Sequence, residues 1–189
     1  MPKYGRPEDM SDLAWLTALE EIRQLQARRD RYADAHDWDG YLSLHAPDHH
    51  SFHASLNGDN EPVVWTTAAE MIENVKHVMT HINPFTVHHS YDPEILFDTP
   101  TQARSIWAMT DGGLNKGPNG EEDWQIIHGY YYETCEKREG RWVFTTRRWQ
   151  LYIAASSKGP VFPTAPLPGA NAFDSADKDF GRPRPLPAA

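Results

Sequence analysis

The sequence predicts an α+β fold in which a curved antiparallel sheet wraps around a long N-terminal helix. Two observations support this prediction. Apolar residues recur at helical spacing near the start of the 189-residue chain, and long segments of alternating residues fill its second half. Because runs of strand follow runs of helix, the helices are expected to segregate from an antiparallel sheet rather than alternate with parallel strands. Such a sheet would form an open-ended cone with a pocket inside.

The first helix is predicted to begin after Ser11, a residue type that commonly caps helix N-termini. Asp37 is placed to end this helix and to cap a second, short helix over residues 38–45. The apolar stripe of the first helix recurs every three or four positions and consists of Trp15, Leu16, Leu19, Ile22 and Leu25, continued by Tyr32 and Ala33.

A third helix is predicted where Thr67 and Glu70 form a capping-box pattern ahead of an apolar stripe, and Pro84 ends it. The remaining periodic segments alternate as strands do, and a bulge or break is expected at Pro93. The segments predicted as strands are residues 50–56, 86–98, 103–111, 124–139 and 142–154.

The chain is predicted to form one domain with two polar ends. Residues 1–10 are expected to be an N-terminal arm, residues 11–155 the folded domain, and residues 156–189 a C-terminal tail. The tail contains seven prolines and little periodicity, so an extended or partly disordered segment is expected.

Composition narrows the classes of function. A formal net charge of -9 without a basic run argues against a nucleic-acid partner. No apolar run has the length of a membrane span or the character of a signal core, so a cytoplasmic protein without a membrane partner is expected. Cys135 is the single cysteine, which excludes an internal disulfide, and the absence of a glycine-rich phosphate loop argues against a nucleotide cofactor.

Titratable residues are unusually dense where the first two helices meet. Residues 31–48 read RYADAHDWDGYLSLHAPD, although a joint between helices needs only one capping acid. A second dense stretch, HHSFH at residues 49–53, resembles a metal cluster. Strict alternation, however, places His49 and His53 opposite Phe52 and away from the core, so no metal site is predicted there.

Four stretches resemble the SnoaL-like branch of the nuclear-transport-factor-2-like superfamily. The likeness consists of a tyrosine with an aspartate five residues on, a strand with an early histidine, a turn that leads into a strand, and a Gly-x-Tyr strand followed by a tryptophan and an arginine. The stretches are residues 31–48, 86–98, 98–111 and 128–148. The proline-rich tail lies outside the resemblance. The superfamily contains dehydratases, isomerases, cyclases and non-catalytic binding domains, so the fold alone does not give the function.

The resemblance implies a set of site residues. Dehydratases of this kind use a pocket tyrosine, an aspartate at the end of the first helix, a histidine on the following strand, a second acid one strand later and an arginine on the last strand. Carried over to this sequence, the positions are Tyr32, Asp37, His88, Asp111 and Arg147. Asp37 is then expected to orient His88, which acts as a base. No metal and no cofactor are implied.

The chemistry of these residue types agrees with an elimination. Histidine can remove and return a proton near neutral pH, and a carboxylate on its other nitrogen fixes the tautomer. Tyr32 and Arg147 would stabilise developing negative charge, and Asp111 would bind a hydroxyl or act as a second acid. The structural alternatives remain open: Asp37 as a helix cap, Asp111 as a turn residue and Arg147 as the partner of Glu133.

Large side chains are expected to line the pocket and bind the substrate. They are Trp38, Trp107, His128, Tyr130 and Trp149. Strict alternation leaves a subunit contact as the alternative for His128 and Tyr130, and it does not decide whether Arg147 or Arg148 faces inward.

These considerations predict a cofactor-independent lyase. Its substrate would be a bulky, hydroxylated small molecule of aromatic or polycyclic character, which loses water or, by retro-aldol cleavage, formaldehyde. An isomerase or cyclase in the same pocket and a non-catalytic binding module are the alternatives. The resemblance also implies a homodimer or homotrimer that packs its sheets together.

Overall fold

The computed structural model describes residues 5–53, 63–117, 119–157 and 159–161. Helix α1 (Asp12–Asp34) is followed by the short helix α2 (Trp38–Ser43) and by helix α3 (Ala68–His77), which continues into one π-helical turn (Val78–Ile82). Each helix begins at a side-chain cap: the side chains of Ser11, Asp37 and Thr67 accept hydrogen bonds from the amides of Ala14, Gly40 and Glu70. All three caps agree with the sequence prediction.

Seven strands form one curved, unclosed sheet, which confirms the predicted α+β class. The strands are β1 (His45–His53), β2 (Val63–Trp65), β3 (Phe85–Thr99), β4 (Gln102–Lys116), β5 (Glu122–Arg138), β6 (Arg141–Ser156) and β7 (Gly159–Val161). Their order across the sheet is β2-β1-β6-β5-β4-β3, and β7 pairs with β6. All pairs are antiparallel except β1 with β6, which run parallel.

Most of the observed strands begin earlier or end later than predicted, and the second helix ends earlier. The second helix ends at Ser43, and His45 already belongs to a strand. Strand β4 runs through Gly112 and Gly113, because the glycines that suggested a loop are paired with β3 and β5 on both sides. The predicted strand 50–56 is described as far as residue 53. Of the predicted tail, residues 159–161 pair with β6 as β7, and residues 162–189 lie outside the described residues.

Irregularities in the strands decide which side chains face inward. The register of β3 against β4 shifts between Tyr91 and Glu94, where Asp92 has a φ of 49°, as expected for a bulge before Pro93. The register of β6 against β5 shifts at Thr145, since Cys135 faces Phe144 while Thr134 faces Thr146. Because a bulge inserts one residue without a partner, it reverses the alternation of all residues that follow.

The apolar core lies between α1 and the inner face of the sheet. Ile22 and Leu25 of the helix are fully buried there against strand residues such as Trp107 and Phe144. A second cluster, centred on Tyr41 and Met71, joins the C-terminal end of α1 to α2 and α3. Among the described residues, no helix has the length and apolar character needed to cross a membrane.

Candidate active site

Polar side chains replace the apolar stripe in the C-terminal half of α1. Gln26, Arg29 and Asp30 are buried against the sheet, and Asp34 is the last residue of the helix. Gln26 donates to the hydroxyl of Ser90 on β3 over 2.7 Å. Burying charged groups is unfavourable unless they are paired. This half of the helix therefore positions a polar network inside the sheet rather than adding to the apolar core.

Asp34 and His88 form a close pair at the end of α1. The Nδ1 atom of His88 lies 2.6 Å from Oδ1 of Asp34, and the His88 amide donates to Oδ2 over 2.9 Å. The hydroxyl of Thr86 donates to the same carboxylate over 3.1 Å. Burial alone would raise the pKa of Asp34, but these hydrogen bonds lower it below its ordinary value. Because an ionised carboxylate only accepts, Nδ1 of His88 carries a hydrogen, and in the neutral ring Nε2 presents its lone pair.

The expected partner of His88 was Asp37, and the structure corrects this assignment. Asp37 is exposed and accepts from the amide of Gly40 over 2.9 Å, so it is the cap of α2. The sequence analysis did not select Asp34, because the resemblance points to the aspartate five residues after Tyr32 and Asp34 lies only two residues after it. A sequence signal was present: Gln26, Asp30 and Asp34 follow Ile22 at four-residue steps, which places polar groups on the face that contacts the core.

Asp111 lies directly opposite His88 on the neighbouring strand β4. Its Oδ2 accepts a hydrogen bond of 2.5 Å from the hydroxyl of Tyr131 on β5. Its Oδ1 is buried and has no hydrogen-bond partner among the described residues. Burial raises the pKa of Asp111, although the charges of His88 and Arg29 oppose the shift. Asp111 is therefore a carboxyl group that retains its proton more readily than an exposed aspartate does.

Two guanidinium groups lie against the ring of Tyr131. The Cζ atoms of Arg29 and Arg147 lie 4.6 Å and 4.7 Å from the centre of that ring. Arg29 donates to Asp30 over 2.9 Å, and its Nε donates to the hydroxyl of Tyr41 over 3.3 Å. Arg29 was not among the predicted site residues.

Arg147 faces inward and Arg148 outward, because the bulge at Thr145 shifts the alternation of β6. Arg147 is 1% exposed, and its Nε donates to Oε1 of Glu133 over 2.7 Å. Of the two alternatives for Arg147, the structure therefore shows the pairing with Glu133. Burial raises the pKa of Glu133, and Arg147 opposes this shift. Arg148 lies over the ring of Tyr132 on the other face of the sheet.

The predicted aromatic residues divide between the two faces of the sheet. Trp107 and Trp149 pair with Tyr131 across the strands and share its inner face, and the indole of Trp107 donates to Ser105 over 2.9 Å. The prediction that His128 and Tyr130 line the pocket is wrong. Both alternate with Tyr131 along β5 and lie on the outer face of the sheet.

Tyr32 and Trp38 lie near the end of α1. Tyr32 is partly buried and packs against both apolar clusters. Trp38 packs against the second cluster and stacks on His36, with ring centres 5.1 Å apart. Tyr32 therefore lies between the two apolar clusters, whereas Trp38 lies beyond the joint.

The prediction that His49, in the histidine-rich stretch at residues 49–53, points away from the core is wrong. His49 is fully buried rather than directed away from the core, because β1 is irregular between His45 and His50. Among the described residues, no group of three or more His, Cys, Asp or Glu side chains is arranged to hold a metal ion.

Comparisons with known proteins give one matching family model and several structures of similar fold. A family model described as the SnoaL-like domain matches residues 14–148. A scytalone dehydratase-like protein from Novosphingobium aromaticivorans has a TM-score of 0.67 at 17% identity, over 76% of this chain and 90% of that chain. The type 3 hexachlorocyclohexane dehydrochlorinase LinA from Novosphingobium barchaimii has a TM-score of 0.66 at 16% identity, over 84% and 100% of the two chains. No curated protein matches the chain.

At these identities the neighbours show a shared fold and no more. The chemistry available to the site follows from its own geometry: a histidine oriented by a carboxylate lies opposite a carboxyl group of raised pKa on the next strand. A base and an acid within reach of one bound molecule are what a proton transfer without a cofactor requires.

Proposed function

We propose that this chain, which belongs to the SnoaL-like domain family, is a cofactor-independent lyase that uses His88 as base and Asp111 as acid. The observation that carries the proposal is the cross-strand pair itself. His88 and Asp111 are direct neighbours on β3 and β4. Their environments differ, because His88 is paired with a carboxylate whereas Asp111 is affected mainly by burial. Asp34 orients His88 so that Nε2 can take up a proton, whereas burial raises the pKa of Asp111 above its ordinary value.

In the proposed reaction, Nε2 of His88 removes a proton from a carbon of the substrate. The electron pair of that C–H bond forms a carbon–carbon double bond, and the neighbouring C–O bond breaks. The leaving oxygen takes the proton of Asp111 and departs as water. Asp34 stabilises the imidazolium that forms, and Arg29 stabilises the new carboxylate of Asp111, toward which its charge already acts. Transfer of a proton from His88 to Asp111, directly or through solvent, restores the starting state.

The proposed substrate is a hydroxylated, bulky, aromatic or polycyclic molecule. Trp107 and Trp149 on the inner face, with Tyr32 at the end of α1, support an aromatic guest. The neighbouring scytalone dehydratase-like and LinA structures support an elimination in this fold. Loss of formaldehyde would use the same pair of residues. His88 takes the hydroxyl proton of a hydroxymethyl group, and the C–C bond to that group breaks, which releases formaldehyde. Asp111 then protonates the carbon that carried the group.

One observation favours an isomerase as the second candidate. Asp111 and Tyr131 share a 2.5 Å hydrogen bond, and a neutral carboxylic acid beside a tyrosine can stabilise an enolate oxygen. In that reaction His88 would return the proton to a different carbon of the same molecule, and nothing would leave.

The test is mass spectrometry of a panel of hydroxylated diaryl, steroid and polyketide-like compounds incubated with the protein. We expect the wild type to remove one water or one formaldehyde, and His88→Ala to lose activity by on the order of 10²- to 10⁴-fold. His89→Ala is the matched control, because this adjacent histidine lies on the outer face of β3.

Each other outcome has a distinct meaning. A product of unchanged mass that requires His88 would replace the lyase by the isomerase. Turnover that survives in His88→Ala would show that the base is wrong. Tight binding across the panel without any product, in wild type and variant alike, would favour a binding module.

A further inference from the structure

Tyr131 lies beside the proposed acid and has no part in the lyase reaction described above. The residue is 2% exposed, and its hydroxyl donates to Oδ2 of Asp111 over 2.5 Å. A buried hydroxyl needs a hydrogen-bond partner, and a backbone carbonyl would meet that need. Here the partner is instead the carboxyl group that gives up a proton in the proposed reaction, so this contact acts on the reacting group.

The charged and titratable groups with the largest effects on Asp111 come from three elements. They are His88 on β3, Tyr131 on β5, and Arg29 and Asp30 on α1. His88, Arg29 and Asp30 act on Asp111 through their charges. Tyr131 donates a hydrogen bond, which has a direction, so this residue holds an individual oxygen of the carboxyl group in place.

Two guanidinium groups support the ring of Tyr131 and strengthen its hydroxyl as a donor. The Cζ atoms of Arg29 and Arg147 lie 4.6 Å and 4.7 Å from the centre of the ring. Arg29 is itself bound to Asp30 over 2.9 Å, and Arg147 is bound to Glu133 over 2.7 Å. Two positive charges near a phenol stabilise negative charge on its oxygen, so the hydroxyl donates more readily than it would in an apolar site.

The hydrogen bond favours one protonation state of Asp111 over the other. Burial raises the pKa of Tyr131 well above its ordinary value, so the hydroxyl keeps its hydrogen and remains a donor. A donor stabilises an ionised carboxylate more than a neutral carboxyl group. Burial raises the pKa of Asp111, and the hydrogen bond from Tyr131 opposes that shift. Without this hydroxyl, Asp111 would hold its proton more tightly and would be a weaker acid.

We propose that Tyr131 is a positioning residue for Asp111, whose hydroxyl holds Oδ2 in place and stabilises the carboxylate that remains when Asp111 gives up its proton. This inference rests on the proposed function, which assigns the acid step to Asp111. In that step the O–H bond of Asp111 breaks, its electron pair stays on the carboxylate, and the proton goes to the leaving oxygen. Tyr131 keeps its own proton, and its hydrogen bond strengthens as the negative charge appears.

The first experiment needs no substrate. Carbon-13 NMR of protein labelled at the aspartate carboxyl groups follows the titration of Asp111, whose signal is identified by its absence from Asp111→Asn. Tyr131→Phe keeps the ring and removes only the hydroxyl. We expect Asp111 in this variant to hold its proton about tenfold more tightly than in the wild type, because a hydrogen bond to its charged form is lost.

Tyr132→Phe is the matched control. Tyr132 is the next residue on β5 and is 6% exposed, and its hydroxyl lies 3.4 Å from that of Tyr152 on the other face of the sheet. Its replacement should leave the titration of Asp111 unchanged. A titration of Asp111 that is the same in the wild type and Tyr131→Phe would overturn the proposal, and so would an equal shift in the two variants.

If Tyr131→Phe fails to fold, the wild type still decides. With carbon-13 at the ζ position of Tyr131, the signal of the phenol carbon should change at the pH at which Asp111 titrates, since one hydrogen bond joins the two groups. A phenol signal that does not respond at that pH would show that the two side chains are not joined, and the proposal would fall.

Turnover separates a positioning residue from one that binds substrate. On a compound that the wild type converts, Tyr131→Phe should lower kcat on the order of tenfold and leave KM unchanged. The limb of the pH–rate profile that follows the titration of Asp111 should move to higher pH. A raised KM with an unmoved limb would assign Tyr131 to substrate binding and overturn the proposal.

The positioning role and the lyase can fail separately, because the titration requires no turnover. A panel of compounds without any product would remove the lyase and leave the shift of the Asp111 titration in Tyr131→Phe intact. An unshifted titration would remove the role of Tyr131 and leave the dependence of turnover on His88 intact.

Discussion

Asp34 and Asp37 lie three residues apart, yet they serve different purposes. Asp34 ends α1 with its carboxylate against β3, where it receives hydrogen bonds from His88 and Thr86. Asp37 lies beyond the joint, where His36 adopts a positive φ and turns the chain toward α2. The direction of each carboxylate, rather than its place in the sequence, therefore separates a positioning residue from a helix cap.

Exchange of each aspartate for asparagine should separate these roles. Asp34→Asn keeps the side-chain shape but no longer enforces hydrogen on Nδ1 of His88, so turnover should fall by on the order of 10²- to 10⁴-fold. Asp37→Asn should leave turnover and stability unchanged, because asparagine caps a helix as well as aspartate does. Kinetics of both variants on one substrate measure the difference. Equal losses in the two variants would contradict the assignment of Asp34.

The raised pKa of Asp111 has a consequence for stability. The folded state binds this proton more tightly than the unfolded chain does. The stabilisation is complete below the unfolded pKa, and it is lost as pH rises through the folded pKa. Asp111→Asn does not titrate, so its stability relative to wild type should increase as pH rises through that window. Urea unfolding at a series of pH values measures it, with the exposed Asp39→Asn as baseline. A relative stability that decreases with pH would contradict a raised pKa.

At the scale of elements, bulges and close contacts between strands determine which face of the sheet the site residues occupy. The bulge at Thr145 places Phe144 and Arg147 on the same inner face, although they are three residues apart. Gly129 lies on β5 between Ile127 and Tyr131, at the second register shift between β5 and β6. A Cβ atom on Gly129 would overlap the carbonyl oxygen of Gln150. This glycine is therefore required by the close approach of the strands that carry Tyr131 and Arg147.

Gly129→Ala should force β5 and β6 apart and destabilise the protein by about 1–3 kcal/mol or more. Gly112→Ala is the matched control on β4, because the nearest atom to its added Cβ, the Gln125 carbonyl oxygen, would be 3.8 Å away. Chemical denaturation of both variants gives the comparison. A loss of stability no greater in Gly129→Ala than in Gly112→Ala would contradict the close approach.

At the scale of the whole molecule, the two faces of the sheet have different characters. The inner face holds the polar network, whereas the outer face of β3 and β5 exposes apolar side chains in three cross-strand rows. These residues are Phe85, Val87 and Tyr91 on β3 and Trp124, Ile126 and Tyr130 on β5. A monomer rarely exposes a contiguous apolar surface of this kind. We propose that a second copy of the chain covers it, which would also give Tyr130 a role outside the pocket.

Replacing Phe85 and Ile126 together by serine should weaken this association. Analytical ultracentrifugation should find a dimer or trimer for the wild type and a smaller species for the double variant. Leu13→Ser, at an exposed leucine of α1, is the control and should leave the mass unchanged. A wild type that sediments as a monomer at all concentrations would remove the basis for this interface.

The sequence by itself determined the three helices, the five longer strands and the fold class, but not the short strands β2 and β7. Caps at Ser11, Asp37 and Thr67, apolar periodicity and the bulge before Pro93 are local properties, since they depend on neighbours a few residues away. The resemblance pointed to His88 and Asp111, which lie opposite each other on β3 and β4, and their catalytic roles are a proposal. Only the tertiary structure decided that Asp34 is the partner of His88, that Arg147 faces inward, that Tyr130 faces outward and that His49 is buried. These depend on bulges and on contacts between residues more than fifty positions apart, which local periodicity does not encode.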